Sequence, residues 1–87
     1  MASNFRILIH RNSCNLHLKL AGDFDGTSAH DLIQAIASHG RGADKIFIHT
    51  DGLRDVAPFG SAVFQRNIAQ TGLPVSQFVI TGARISL

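Results

Sequence analysis

The sequence predicts a single small α/β domain: a mixed four-stranded sheet in the order β-β-α-β-α-β, with its helices packed on one face. Three observations lead there. Two runs that alternate in side-chain character stand close together near the N-terminus, as in a hairpin. Helix-period and strand-length apolar segments then alternate, which argues for parallel strands joined by right-handed crossovers. Finally, 87 residues of which 45% are hydrophobic and 16% charged suffice for one packed core and are too apolar for a disordered chain.

In the first run Phe5, Ile7 and Ile9 alternate with Arg6, Leu8 and His10, and Asn12 and Ser13 break it. Cys14, Leu16, Leu18 and Leu20 then alternate with Asn15, His17 and Lys19, so the second strand has a polar side and the sheet is expected to be wet on one face. Cys14, the only cysteine, excludes an internal disulfide and is expected as a packed thiol in that strand. After Gly22-Asp23-Phe24-Asp25-Gly26, the spacing of Ala29, Leu32, Ile33, Ile36 and Ala37 predicts a helix. Ser28 with Asp31 has the spacing of a capping box, and Gly40 is a natural stop.

Ile46-Phe47-Ile48 is a continuous apolar run of strand length, expected between neighbours in a parallel sheet and ending at Thr50 or Asp51. Pro58 suits the first turn of a second helix, where its missing N–H costs nothing, and Phe59, Ala62, Val63, Phe64 and Ile68 supply apolar positions before Gly72. Leu73-Pro74 ends that segment, Gln77-Phe78-Val79-Ile80-Thr81 is the last strand, and residues 82–87 are too few for another element. The whole of 1–87 reads as one domain. Ligands of such sheets favour the carboxyl ends of strands, which places the question on the 22–28 and 49–60 loops.

Composition narrows the function. The eight Lys and Arg residues are spread along the chain and the net charge is only +2, so no nucleic-acid partner is expected. No run approaches the length of a membrane span and the N-terminal residues carry no long apolar stretch, so the expectation is a cytoplasmic chain with no direct membrane insertion. No P-loop, dinucleotide fingerprint or nucleophile elbow occurs. The five histidines include no i, i+4 pair, although His10 and His17 can face one another across the hairpin. No metal and no cofactor is expected.

Asp23, Asp25, Asp51 and Asp55 converging at one edge would suit Mg²⁺ or phosphate chemistry. Ordinary roles account for each of them: Asp25 capping a turn, Asp51-Gly52 forming another, and Asp55 near the positive end of the second helix. Ser61 lies where a phosphate would be favoured, but packing or local capping explains it equally. Phe59 either enters the core, the default for an aromatic, or stands at the mouth between the two loops.

Those loops carry a resemblance. The string Leu20-Ala21-Gly22-Asp23-Phe24-Asp25-Gly26-Thr27-Ser28-Ala29, followed by an amphipathic helix, resembles the Leu-x-Gly-x-Leu-Asp signature of STAS domains, the family of the anti-sigma factor antagonists. Residues 46–61 resemble the second signature, a strand and turn leading to Ile-Asp-Ser-Ser-Gly-Leu at the start of a helix, with Gly60 on its glycine. The element order agrees over residues 5–82. The phosphoacceptor serine of the family corresponds to Pro58 and the aspartate before it to Ala57, while the strand-end aspartate corresponds to His49. The chain also stops where longer members add a C-terminal helix.

The resemblance implies a non-enzymatic interaction module that lacks the phosphorylation switch. Its expected surface is Asp25, Thr27 and Ser28 with Ala57, Pro58, Phe59, Gly60 and Ser61, and its expected partner is a regulatory protein, an anti-sigma factor or kinase-like regulator. An accessory subunit of a transporter such as a phospholipid ABC system is the alternative, and a small-ligand or Mg-dependent domain built on the aspartates is a third. Homodimerisation is left open by the sequence.

Overall fold

The computed structural model describes residues 4–85. Their element order is β1 (Arg6–Arg11), β2 (Asn15–Phe24), α1 (Gly26–His39), β3 (Lys45–Val56), α2 (Pro58–Asn67) and β4 (Phe78–Thr81), with short 3₁₀ turns at Ile68–Thr71 and Val75–Gln77. The expected order holds. One sheet contains the four strands in sequential order, β1 antiparallel to β2 and β3 parallel to both β2 and β4. The readings of the first three residues and of the last two, at the end of the 82–87 tail, fall outside the described residues.

Period-two alternation sends Leu16, Leu18 and Leu20 of β2 and Ile46 and Ile48 of β3 to one face of the sheet. Ala29, Leu32 and Ile36 of α1 and Phe64 of α2 join them in the core, and none of these nine side chains is more than 2% exposed. The opposite face is open, carrying His17 and Lys19 of β2 and Phe47 and His49 of β3. The half-wet sheet read from the odd positions of β2 is therefore present.

Strand β3 runs well past the expected end. Lys19 faces His49 but Ala21 faces Gly52, and Gly22 faces Leu53 but Asp23 faces Asp55, so β3 carries one extra residue at each of two places. Each extra residue inverts the alternation. Ile46, Ile48 and Thr50 are buried, then Leu53, and Val56 packs against the core. A reading by strict period two loses the strand at the first bulge, which is why Asp51-Gly52, expected as a turn, lies inside a 12-residue strand. A Cβ on Gly52 would stand 2.5 Å from the Leu20 carbonyl oxygen, so the bulge needs glycine there. Residues 22–24, expected in a loop, likewise belong to β2.

Three smaller expectations are corrected. Cys14 is exposed, because the Asn12 side-chain oxygen accepts the N–H groups of Asn15 at 2.8 Å and Cys14 at 3.4 Å and folds 12–14 into the hairpin loop. The cap of α1 is Asp25 rather than Ser28, which lies one turn inside the helix. Gly40 does end α1, but at φ −79 in the right-handed region. Arg11 from the edge strand donates to the His39 carbonyl, setting a cation at the negative end of α1.

Candidate functional site

The two segments that resemble the family signatures meet. The Ala57 N–H donates to the Phe24 carbonyl at 2.8 Å, so the exit of β3 is tied to the exit of β2. Immediately after, Gly60 lies flat on the backbone of Asp25; a Cβ on Gly60 would sit 2.8–2.9 Å from three Asp25 backbone atoms. The Phe59 ring lies over Gly26, its edge 2.9–3.0 Å from where a Cβ on Gly26 would be. Two helix starts are thereby joined through glycines, with one aromatic ring across the seam.

Asp25 is the N-cap of α1. Its Oδ1 accepts the Ser28 N–H at 2.9 Å and lies 3.0 Å from the Ser28 hydroxyl. That hydroxyl is also 2.9 Å from the Asp23 carbonyl, so its single proton serves one acceptor at a time. Donation from the Ser28 backbone and then its side chain, aided by the Thr27 N–H, stabilises the carboxylate and holds its pKa below the ordinary value, against a smaller opposing contribution from burial. Ser28 is only 1% exposed, so it serves by holding Asp25 and not by presenting a surface, whereas Thr27 is exposed.

At the start of α2 the N-cap is Ala57, which has no side-chain hydrogen bond to offer, and Pro58 takes the first helical position. Pro58 has neither hydroxyl nor N–H, so this position cannot accept a phosphate on oxygen. Phe59 is 70% exposed, which overturns the core default and puts it at the mouth. Gly60 is buried beneath it, and Ser61 is half-buried with its N–H donated to the Ala57 carbonyl at 3.2 Å. The outward-facing part of the set is thus Thr27, Pro58 and Phe59, with the Asp25 carboxylate and Ser61 partly exposed beside them.

The aspartates do not assemble. Asp23 makes a two-pronged ion pair with Arg54, at 3.1 Å from Nε and 2.9 Å from the terminal nitrogen. That pairing, with a smaller contribution from Asp55, raises the Arg54 pKa above its usual value. Asp25 is engaged by Ser28, and among the described residues no group of three or more His, Cys, Asp or Glu side chains is placed to hold a metal ion.

The open face of the sheet holds a cluster that was legible only in part from the alternation along β1 and β2. His10 does face His17 across the hairpin, ring centres 6.2 Å apart. Beyond it, His17 Nδ1 lies 3.0 Å from His49 Nε2, and His49 Nδ1 lies 2.8 Å from the Thr81 hydroxyl. Phe47 stacks on His17 at 4.7 Å, nearly parallel. Burial, the neighbouring His17 and then Lys19 lower the pKa of His49, and Asp51 offsets part of this. The polar alternation of 15–19 was a signal for one side of this cluster; the contact with His49 depends on the β2–β3 register, which no local pattern encodes.

No family model matches this chain, and no curated protein does. Solved structures do. A crystal structure described as Mglu superposes with a TM-score of 0.72 at 14% identity over 91% of this chain, which spans 20% of that one. The STAS domain of an antisigma-factor antagonist from Rhodobacter sphaeroides gives a TM-score of 0.65 at 12% identity, covering 90% of this chain and 86% of that one. At such identities the likeness shows the fold: this chain has the mixed α/β fold of a STAS domain.

Proposed function

We propose that this STAS-fold chain is a non-enzymatic protein-interaction module of the anti-sigma factor antagonist type, binding a regulatory protein such as an anti-sigma factor or kinase-like regulator without phosphate control at the serine position. The observation that carries this reading is Phe59, 70% exposed at the seam between the two helix starts, next to Pro58 at the first position of α2; by the resemblance, Pro58 corresponds to the phosphoacceptor. A large aromatic left in solvent on a rigid support is the kind of residue that anchors an interface. The support here is a hydrogen bond from Ala57 to Phe24 and the close approach of Gly60 to Asp25, so little ordering entropy is lost on binding.

The test is affinity capture from the native cytoplasm with the wild-type chain and a Phe59→Ser variant, followed by binding measurements with the purified captured protein and phosphosite mapping. The reading expects a regulator that wild type holds without phosphate and that Phe59→Ser loses by roughly tenfold or more, the range of an interface anchor. Equal binding by the variant, or capture of transporter subunits in place of a regulator, sinks it.

A further inference from the structure

We infer that the outer edge of β1 is a self-pairing surface at which two copies of this chain join antiparallel, β1 to β1, into one continuous eight-stranded sheet.

The inference starts from exposure. β1 is the first strand of the sheet order, and no strand among the described residues pairs with its other side. Of the four large hydrophobic side chains that stand exposed among the described residues, two are neighbours on this strand: Leu8 at 62% and Ile9 at 46%, one on each face. The usual protections of an edge are missing from its middle. There is no proline or lysine in Arg6–Arg11, and its pairing with β2 runs through six consecutive residues without a bulge that would turn the edge away. Arg6, His10 and Arg11 stand only at its ends, flanking Ile7-Leu8-Ile9. The far edge, β4, is four residues long and half-buried or better throughout.

The choice of a second copy as occupant follows from the strand's own symmetry. Continuous antiparallel pairing of two identical edges needs a two-fold axis perpendicular to the sheet, and such an axis keeps each face on its own side. Opposed residues must then share a face, so the axis passes through one residue and not between two. On Ile9, the axis sets Leu8 against His10 and Ile7 against Arg11; on Ile7, it sets Leu8 against Arg6. On Leu8, it sets Leu8 against its own copy, Ile7 against Ile9 twice, and Arg6 against His10 at the two solvent-exposed ends. Only the Leu8 register matches all three apolar residues with apolar partners; it leaves Arg11 alone without a partner inside the strand. This interface leaves the Phe59 surface unused, so it stands or falls separately from the proposed function.

Two measurements test it. Analytical ultracentrifugation of wild type across rising concentration is expected to show the mass climbing from one chain towards two. Leu8→Lys, which opposes two like charges on the axis, is expected to weaken association by roughly tenfold or more. Because Leu8 is outside the core, the circular dichroism of this variant and its melting midpoint at dilutions where both proteins are monomeric should match wild type. Register is read by disulfide trapping in a Cys14→Ser background. Leu8→Cys places two thiols on residues with Cα atoms about 4.5–5.5 Å apart, within bonding reach, and is expected to cross-link. Arg6→Cys separates them by roughly 13 Å along the strands and is expected not to. A chain that stays monomeric at every concentration, which would leave the edge to an extended segment of another protein, overturns the inference. So does a dimer that Leu8→Lys leaves intact, or cross-linking of Arg6→Cys as efficient as that of Leu8→Cys.

Discussion

Gly60 and Asp25 are 35 positions apart in the chain, yet a Cβ on Gly60 would stand within 2.9 Å of the Asp25 backbone. That approach joins the start of α2 to the start of α1 and sets the pedestal on which Phe59 stands.

Gly60→Ala is expected to destabilise the domain. The intruding methyl meets backbone, which cannot swing aside as a side chain does, so the overpacking cost of about 1–3 kcal/mol outweighs the gain in helix propensity of about 1 kcal/mol or less. Urea titration followed by circular dichroism checks this, and a variant as stable as wild type would contradict the geometry.

The Asp25 cap should be visible as a pH effect. Its folded pKa lies below the ordinary value of 3.8, so the unfolded chain binds the proton more readily. The stabilisation is therefore full above the unfolded value and is lost as pH falls through the folded one. The stability difference between wild type and Asp25→Asn is expected to be constant near neutrality and to shrink in acid below about pH 4; thermal melts of both proteins at matched pH supply the comparison.

His49 has the same sign in a different window. Its folded pKa is below 6.5, so protons bind the unfolded state more tightly and stability should fall as the medium is acidified from about pH 6.5 towards the folded value. His49→Gln removes that contribution, so its stability profile should be flatter than that of wild type over this range. A titration of the His49 ring protons by NMR gives the direction independently: a midpoint at or above the ordinary value would contradict the assignment.

Thr50 is fully buried, with its hydroxyl donating to the Thr81 carbonyl at 2.8 Å and accepting the Arg84 N–H at 3.4 Å. Thr50→Val keeps the shape and removes both bonds, leaving backbone groups without their partner. A loss of about 1–3 kcal/mol is expected in denaturant titration. Hydrogen exchange should show faster exchange at the Arg84 amide if this hydroxyl is its acceptor.

How far the sequence could be read depended on the range of the interaction concerned. The hairpin, α1, the proline start of α2 and β4 announce themselves through period two, period 3.6 and helix-boundary residues, all properties of neighbours along the chain. The outer half of β3 does not, because its two extra residues invert the alternation and place an Asp-Gly pair inside a strand. For the candidate site, the two segments to compare were legible, but the helix cap was read one turn late, on Ser28 where the structure uses Asp25. The exposure of Phe59 and the withdrawal of Ser28 were not, since each depends on what the other segment brings against it.

The sequence by itself determined the order β-β-α-β-α-β, the apolar faces of β2 and α1 and the absence of a hydroxyl at position 58. These follow from side-chain chemistry and local periodicity. Only the tertiary structure decided the β2–β3 register, and with it the meeting of His17 and His49, the burial of Leu53 and the closure of Gly60 on Asp25. Pairing between distant strands is selected by the packing of the whole core, because a one-residue slip would turn every apolar side chain to the wrong face.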